Sequence, residues 1–283
     1  RGAPAALSGP LVLRLTRPHH DPARALREAA TQNAVAALGY PAPRVLLSSA
    51  EPDALGAPFL LMERLPGRPL MEAGVIGMGA VLAGAQARLH ALDPAPLARA
   101  LGASGTLDGY LEAEAGRIAR AKLDGLRPLL DWLRARRPGD SAAAICHGDF
   151  HPQNVLRDGG RVTGVLDWPN ALVADPVFDV AATLNILSFV PPGITSIPVA
   201  LRWLLRAAQP RLARRYLASY RRQRPVDGAR LAYYQVAAGL RALVRAGESR
   251  RRGVLTGLDA SPYAARLLAH ALRVTGVEAT LPP

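Results

Sequence analysis

The residues best suited to chemistry in this 283-residue chain lie between Cys146 and Asn154, in the string CHGDFHPQN. The string concentrates polar side chains in a chain with only 22 acidic residues and six histidines. A further aspartate, Asp167, follows thirteen positions after Asn154 in VLDWPN. An Asp and an Asn at a loop end, facing a second Asp at a strand end, offer the oxygen ligands that Mg²⁺ favours. The pattern therefore indicates a cation site at which substrate phosphates complete the coordination.

A β-hairpin is the element that must bring these residues together. The sequence predicts a turn at Asp158-Gly159-Gly160 between a first strand and a return strand over Val162–Leu166. Such a hairpin folds Asp167 back toward Asn154.

The two histidines in this string raise zinc as an alternative to magnesium. No third nitrogen or sulfur ligand is spaced near His147 and His151 in the manner of a zinc site. Cys146 is most simply a small buried hydrophobic residue. Magnesium is therefore the metal we expect.

The string HGDxxxxN, followed by a hairpin and LDW, resembles the catalytic segment of the aminoglycoside phosphotransferase and choline kinase-like family, small-molecule relatives of the protein kinases. The intervals of five residues from Asp149 to Asn154 and of eighteen from Asp149 to Asp167 both fit the kinase pattern. The string ADPVFDVA, at 174–181, resembles the D-P-x-x-D-x-A segment of the same family. The combination of spacings is far more specific than any one part.

The resemblance implies an α+β, two-lobed fold of the protein kinase type. Residues 1–66 would form a small nucleotide-binding lobe that is incomplete at its start, and residues 67–283 a larger, mainly helical lobe with the catalytic hairpin and the substrate site. Local patterns predict strands and one helix in the first lobe: Leu11–Leu15, Pro22–Leu38 (helix), Arg44–Ser48 and Phe59–Glu63. Helices are predicted in the second lobe at Val75–Leu92, Leu107–Ala121, Pro128–Arg136 and Val177–Val274, with breaks at Pro191-Pro192, Pro210 and Pro225.

The resemblance also implies roles for single residues of the catalytic segment. Asp149 would be the catalytic base that orients the substrate hydroxyl and accepts its proton. His151 would either contact the transferred phosphate or brace the loop. Asn154 and Asp167 would hold Mg²⁺ between the nucleotide phosphates. Structural support would come from His147, Asp175 and Asp179.

Nucleotide binding is assigned by the resemblance to the first lobe. Arg14 would grip the α- and β-phosphates, with Glu28 as its ion-pair partner, and the backbone around Glu63 to Leu65 would meet the adenine edge. The cofactors implied are ATP or GTP together with Mg²⁺. An arginine satisfies this chemistry because its guanidinium is always charged and binds phosphate through a two-pronged fork.

The N-terminus departs from the family pattern. Two strands and a phosphate-covering loop should precede Arg14, but only 13 residues do, and Gly2 and Gly9 do not make that loop. The chain starts at Arg1 rather than Met, which favours a truncation. If the chain is natural, we expect weak nucleotide affinity, and a degenerate pseudokinase is then an alternative function.

The excess of basic over acidic residues raises a second alternative function, a nucleic-acid or partner-binding protein with a kinase-like fold. The formal charge is +13, yet Lys122 is the only lysine beside 34 arginines, a usage that a high-GC coding bias explains as well. Its contact sites would be the arginine clusters at 211–215, 221–224 and 250–252. A pure binder has no need of all three of the catalytic and metal residues, so we regard nucleic acid as an unlikely partner.

Composition excludes several other classes. With 49% hydrophobic residues the chain is no disordered tail, and a single cysteine cannot build a disulfide scaffold. No uninterrupted apolar run approaches the ~20 residues of a membrane span, and no signal segment opens the chain. We therefore expect a cytoplasmic protein without a membrane partner. The sequence does not indicate an oligomeric state.

The acceptor is expected to be a small hydroxyl-bearing molecule. In the family that the chain resembles, the C-terminal helices build the acceptor pocket, and this pocket is acidic when the substrate is a polycationic aminoglycoside. After Asn170 the chain has six acidic residues against sixteen arginines. An aminoglycoside is therefore only one of the acceptors that the sequence allows.

Overall fold

A computed structural model of the chain describes residues 9–16, 23–52, 55–72, 77–139, 141–190, 199–254 and 262–283. The smaller lobe is a three-stranded antiparallel sheet with one helix. Strands β1 (Leu11–Leu15) and β2 (Val45–Ser49) both pair with the central strand β3 (Phe59–Glu63). The predicted strands and helix of this lobe are confirmed to within one residue at each end.

Helix α1 (Ala23–Ala37) packs on this sheet through small side chains. Ala25 and Ala29 form a cluster with residues of β2 and β3. Asn33 fixes the contact, because its side chain both donates to the carbonyl of Val45 (3.1 Å) and accepts from the Val45 N–H (2.8 Å). The helix is thereby held in one position relative to the strand that carries Arg14.

The larger lobe is mainly helical. Its helices are α2 (Met78–Leu89), α3 (Ala95–Leu101), α4 (Leu107–Arg120), α5 (Arg127–Ala135), α6 (Pro176–Phe189), α7 (Val199–Arg221), α8 (Gly228–Arg251) and α9 (Tyr263–Thr275). Helix α6 is buried on nearly all sides and packs against α7, α8 and α9, which makes it the centre of the lobe. Within the described ranges, no helix is both long and apolar enough to cross a bilayer.

Short strands in this lobe position the catalytic segment. Strand β6 (Val155–Asp158) pairs with β4 (Arg68–Pro69) and with β7 (Arg161–Val165), while β5 (Ala144–Cys146) pairs with β8 (Leu172–Ala174). The loop from β5 to β6 and the loop from β7 to β8 therefore lie side by side. The first loop contains Asp149 and the second contains Asp167.

The connection between the lobes rests on the hairpin. Thr163 Oγ1 of β7 donates to the carbonyl of Pro66 at 2.6 Å. Gly67 has a φ of 105°, and a Cβ there would lie 2.6 Å from the same Oγ1. Only glycine allows this close approach. The predicted boundary after residue 66 falls within this connection, between β3 and β4.

One predicted helix break is wrong. Helix α7 continues through Pro210, although proline lacks the N–H of a regular helix. Helix α7 packs against both α2 and α6, while Pro210 itself lies on an exposed side of the helix. The break at Pro225 is confirmed, since α7 ends at Arg221 and α8 begins at Gly228. The break at Pro191-Pro192 and the start of a helix at Val75 lie outside the described residues.

Candidate active site

The β6–β7 hairpin brings the two candidate metal ligands together, as its turn signal predicts. The N–H of Leu166 donates to the carbonyl of Asn154 at 2.8 Å, and the N–H of Asn154 donates to the carbonyl of His151 at 2.9 Å. Asp167 directly follows Leu166, so the backbones of the two candidate ligands lie close together at this end of the hairpin. The pairing of β6 with β7 thus brings Asn154 and Asp167, which are thirteen positions apart in the sequence, near each other in space.

Asp149 is held by its main chain and leaves its carboxylate partly exposed. The side-chain amide of Asn154 donates to the carbonyl of Asp149 at 3.0 Å. The N–H of Asp149 donates to Nδ1 of His147 at 3.2 Å. The Asp149 side chain is 30% exposed. Because the Asn154 nitrogen is engaged, its Oδ1 is the end that remains for a cation.

His147 is a fully buried support. Its Nε2 lies 3.0 Å from the carbonyl of Leu166, and its ring lies 4.5 Å from the ring of Trp168 and 5.6 Å from that of Phe150. Since Nδ1 accepts from Asp149, Nε2 carries the proton and donates to Leu166. Both ring nitrogens are therefore occupied, and this residue ties the two loops together instead of binding a metal.

His151 faces Asp149. Its Nε2 lies 3.7 Å from Oδ1 of Asp149, and its Nδ1 accepts from the N–H of Gln153 at 3.3 Å. Burial lowers the pKa of His151 below 6.5, and the charge of Asp149 opposes this shift only in part. The ring is therefore neutral at pH 7, with the Nε2 proton on the side of Asp149. The spacing is longer than a direct hydrogen bond.

Gly148 anchors the catalytic loop to the central helix. Its N–H donates to Oδ1 of Asp179 at 2.7 Å. Its φ is 76°, and a Cβ at this position would collide with the carbonyl oxygen of Asn170. Only glycine fits such a turn against its neighbour.

Asp179 is completely buried and satisfied on both oxygens. Oδ2 lies 3.1 Å from Nε2 of His90, whose Nδ1 lies 2.6 Å from the hydroxyl of Tyr220. Burial acts to raise the pKa of Asp179, but the interactions with His90, His147 and Gln86 together lower the pKa below its ordinary value, and the hydrogen bond with His90 is the largest of these. The carboxylate is thus ionised and held in place beneath the catalytic loop.

Asp175 lies at the start of α6 and does not reach the two loops. One oxygen accepts from the N–H of Val177 at 2.9 Å and caps the helix. The other lies 2.7 Å from Nη1 of Arg230 on α8. Nearby, burial raises the pKa of the Cys146 thiol well above its ordinary value, so this cysteine is an unreactive core residue.

Arg14 joins the first lobe to the catalytic hairpin. Its Nη1 lies 2.6 Å from Oε1 of Glu28, and its Nη2 lies 2.9 Å from Oδ1 of Asp167. Burial raises the pKa of Glu28, although Arg14 and the backbone N–H of Trp168 both stabilise its charged form. The predicted Arg14–Glu28 pair is thus present, and it extends to Asp167.

Asp167 has an unusual backbone. Its φ is 69°, in the left-handed region that few residues other than glycine adopt. Aspartate and asparagine enter this region more readily than most residues because their short polar side chains bond locally. The conformation directs the Asp167 carboxylate toward Arg14.

The predicted adenine contacts lie apart from this cluster. The N–H of Glu63 donates to the carbonyl of Arg44 at 3.0 Å, so it is already engaged within the sheet. The Glu63 carboxylate accepts from the N–H of Arg44 at 3.3 Å. Leu65 lies over Gly164 of β7, whose Cβ would lie 3.0 Å from Leu65 Cδ1. Glu63 is thus committed to the sheet, while Leu65 faces the catalytic hairpin.

Sequence reasoning missed the buried polar residues that surround the loop. Gln86 on α2, His90 directly after α2, Thr183 on α6 and Tyr216 on α7 are all at most 3% exposed. A signal for them exists, since each belongs to a pair of polar or tyrosine residues four positions apart: Gln86 with His90, Asp179 with Thr183, and Tyr216 with Tyr220. Such pairs share one helix face.

The chain is similar to known proteins in both sequence and structure. A family model described as "Phosphotransferase enzyme family" matches residues 5–234 of the chain, well over half of its length. The chain belongs to this phosphotransferase family. Among curated members and relatives, it is 33% identical over 215 residues to the aminoglycoside 3'-phosphotransferase of Streptomyces fradiae, which covers 70% of this chain and 72% of that protein.

A second relative is much longer than this phosphotransferase-family chain. The acyl-CoA dehydrogenase family member 11 of Pongo abelii is 25% identical over 173 residues, which is 55% of this chain. The aligned part spans 22% of that protein, so the match concerns about a fifth of the relative's length.

A solved structure shows the fold of the family. The chain is similar to a thermostable mutant of aminoglycoside phosphotransferase APH(4)-Ia, determined as a ternary complex with AMP-PNP and hygromycin B. The TM-score is 0.65 at 21% sequence identity, and the match covers 94% of this chain and 86% of that one. The predicted kinase-like, two-lobed α+β fold is thereby confirmed.

Proposed function

We propose that the protein is an ATP- and Mg²⁺-dependent O-phosphotransferase that acts on a hydroxyl group of a small molecule. The observation that carries this proposal is the gathering of Asp149, Asn154 and Asp167 at one end of the hairpin, with Arg14 bonded to Asp167. Membership in the phosphotransferase family supports the reaction class.

In the proposed reaction, one phosphorus–oxygen bond forms, another breaks, and one proton moves to Asp149. The acceptor oxygen forms a bond to the γ-phosphorus of ATP, and the bond from that phosphorus to the bridging oxygen breaks to release ADP. The acceptor proton passes to the Asp149 carboxylate. Phosphoryl transfer depends mainly on positioning and charge stabilisation, so this carboxylate need not be strongly basic. Its partial exposure leaves it accessible to the acceptor.

The donor set at the hairpin fits Mg²⁺. Oδ1 of Asn154 remains available because the nitrogen of the same amide is bonded to Asp149, and Asp167 has one oxygen beyond the one that meets Arg14. Amide and carboxylate oxygens are the ligands that this ion prefers. When bound there, Mg²⁺ would neutralise charge on the nucleotide phosphates.

Arg14 would contribute the nucleotide contact of the first lobe. Its guanidinium is 39% exposed, and Glu28 orients it from behind. A bound nucleotide phosphate would compete with Asp167 for Nη2 of this arginine, which frees Asp167 for the metal. APH(4)-Ia, a protein of the same fold, was determined in complex with AMP-PNP, which supports nucleotide binding by this fold.

The acidic residues of the C-terminal third are mostly engaged, which bears on the acceptor. Asp175 bonds Arg230, Asp179 is buried with His90, Asp227 caps α8, and Glu248 bonds Arg117. These carboxylates are therefore not free to line a pocket for a polycation. We infer an acceptor that is neutral or weakly charged, and we treat aminoglycosides as the case to be excluded.

The test of the reaction is ADP release with MgATP and a panel of hydroxyl compounds. Asp149→Asn should reduce turnover at least ~100-fold, the range of a general base. Asp108→Asn is the matched control, because Asp108 is an exposed carboxylate that bonds Arg137 on the surface. Circular dichroism checks that both variants fold. Unchanged turnover in Asp149→Asn would refute the assignment.

The test of the acceptor class is the same assay with aminoglycosides compared with neutral polyols and hydroxy amino acids. We expect turnover to be highest with acceptors that carry no more than one positive charge. Robust turnover of several aminoglycosides would show that the acid-poor C-terminal third does not exclude a polycation, and it would leave the phosphotransferase assignment intact.

A further inference from the structure

A buried chain of side-chain hydrogen bonds ends on the residue next to the candidate base. The hydroxyl of Tyr216 on α7 donates to Oε1 of Gln86 on α2. Nε2 of Gln86 donates to Oγ1 of Thr183 on α6 at 3.1 Å. Oγ1 of Thr183 donates to the carbonyl of Phe150 at 2.8 Å. Three helices are thus linked to the catalytic loop.

The direction of this chain is fixed at both ends. Burial raises the pKa of Tyr216 well above its ordinary value, so the phenol keeps its proton and donates. The Phe150 carbonyl can only accept. Gln86, Thr183, Tyr216 and Phe150 are all completely buried, so no solvent can replace any of these bonds. Loss of one member leaves a buried polar group without a partner.

The Thr183 bond is one of four that hold the backbone around Asp149. The other three engage the N–H of Gly148, the N–H of Asp149 and the carbonyl of Asp149. The Phe150 carbonyl is the anchor on the C-terminal side. Without it, the peptide that follows Phe150 can rotate, and this rotation displaces the Asp149 carboxylate.

We propose that Thr183, Gln86 and Tyr216 are positioning residues, which set the place of the Asp149 carboxylate through the Phe150 carbonyl. This inference rests on the proposed phosphotransferase function. The residues touch no substrate, so their effect falls on the rate of the chemical step. Small displacements of a reacting group lower a rate by up to ~100-fold, whereas binding of the nucleotide, which in the proposed function also uses Arg14 in the other lobe, is less affected.

The test compares Thr183→Val with Thr183→Ser at a temperature well below the melting point of both. Valine has the shape of threonine without the hydroxyl, whereas serine keeps the hydroxyl. With MgATP and the best acceptor from the panel, we expect kcat of Thr183→Val to fall ~10-fold with KM for MgATP changed less than twofold. Thr183→Ser should recover kcat to within about threefold of the unmodified protein.

Tyr216→Phe extends the test along the chain and has a matched control. Tyr233 is another buried tyrosine, and its hydroxyl donates to the carbonyl of Leu133 on α5 at 2.9 Å, away from the catalytic loop. Tyr216→Phe should lower kcat about threefold or more, and Tyr233→Phe should leave it unchanged. Equal kcat values in Thr183→Val and the unmodified protein, with both folded, would overturn the proposal.

A second measurement does not need turnover. Hydrogen–deuterium exchange of the 147–151 segment should speed up at least fivefold in Thr183→Val, beyond any change in the slowest-exchanging core amides. If the unmodified protein phosphorylates nothing, the proposed function fails while this measurement still decides the positioning role. Unchanged exchange in 147–151 would overturn the inference even if the protein is an active phosphotransferase.

Discussion

The guanidinium of Arg14 lies 2.9 Å from the carboxylate of Asp167, although 153 residues of chain separate them. The same guanidinium lies 2.6 Å from Glu28 on α1. One side chain therefore connects a strand and a helix of the first lobe to the hairpin of the second. In the proposed reaction, the contacts among these three residues depend on the position of the first lobe relative to the second.

Arg14→Met should weaken nucleotide binding. The variant keeps an unbranched, flexible stem and removes the charged guanidinium, so Glu28 and Asp167 lose their common partner. We expect the Kd for MgATP, measured by calorimetry, to rise ~10-fold, as for the loss of one charge-assisted contact. Arg134→Met is the control, because Arg134 forms an exposed pair with Glu112. Equal affinities in the two variants would contradict the predicted role of Arg14.

Gly148→Ala should destabilise the protein far more than an alanine at another left-handed glycine. Gly39 has a φ of 78°, close to the 76° of Gly148, but a Cβ at Gly39 meets nothing within 4 Å. Gly39→Ala should cost the backbone penalty alone, about 1–2 kcal/mol. Gly148→Ala adds the collision with Asn170, for a total of about 2–5 kcal/mol. Urea unfolding measures both free energies.

His90→Leu should be strongly destabilising because it leaves the buried Asp179 carboxylate without its partner. Breaking a buried pair in this way costs about 3–5 kcal/mol. His270→Leu is the contrasting control, since Nε2 of His270 is buried without a hydrogen-bond partner among the described residues. Its replacement by leucine should be neutral or stabilising in thermal unfolding. A similar loss in both variants would show that the His90–Asp179 bond contributes nothing specific.

Stability should fall as the pH drops below 6.5. Burial lowers the pKa of His151, and burial together with the charge of Arg273 lowers the pKa of His270. In this range the unfolded chain binds protons at both residues more readily than the folded protein does, so protonation favours unfolding. The two contributions are fully present above pH 6.5 and are lost as the pH approaches the lowered values.

Urea unfolding between pH 5 and 7.5 tests this dependence. His151→Gln and His270→Leu should each flatten the slope of the unfolding free energy against pH, and their effects should add because the two residues lie on different elements. If the slope is undiminished in the double variant, titratable groups other than these two histidines cause the pH dependence.

Much of the fold and site was predictable because the relevant signals are local. The hairpin followed from Asp158-Gly159-Gly160, and the approach of Asn154 to Asp167 followed from the hairpin. The strands β4 and β8 were not predictable, since two or three residues carry no periodic pattern. The break predicted at Pro210 was wrong because a proline lowers the local preference for a helix without always ending it, and α7 continues through this residue.

The buried polar residues around the loop could not be placed from sequence for a different reason. Gln86 and Thr183 are 97 positions apart in the sequence, and the four-residue spacing that marks a shared helix face does not show which other helix that face meets. Their partners become evident only when the three helices are packed together. The link from Arg14 to Asp167 belongs to the same class, whereas the pairing with Glu28 was expected from the family resemblance.

The left-handed backbone of Asp167 determines which substitution can isolate its carboxylate. An alanine at a φ of 69° adds conformational strain to the loss of charge, so any effect on turnover would mix two causes. Asparagine tolerates this conformation and keeps the shape and one oxygen of the side chain. Asp167→Asn thus separates electrostatics from geometry, and a comparison of the two variants measures how much of the site depends on a single peptide torsion.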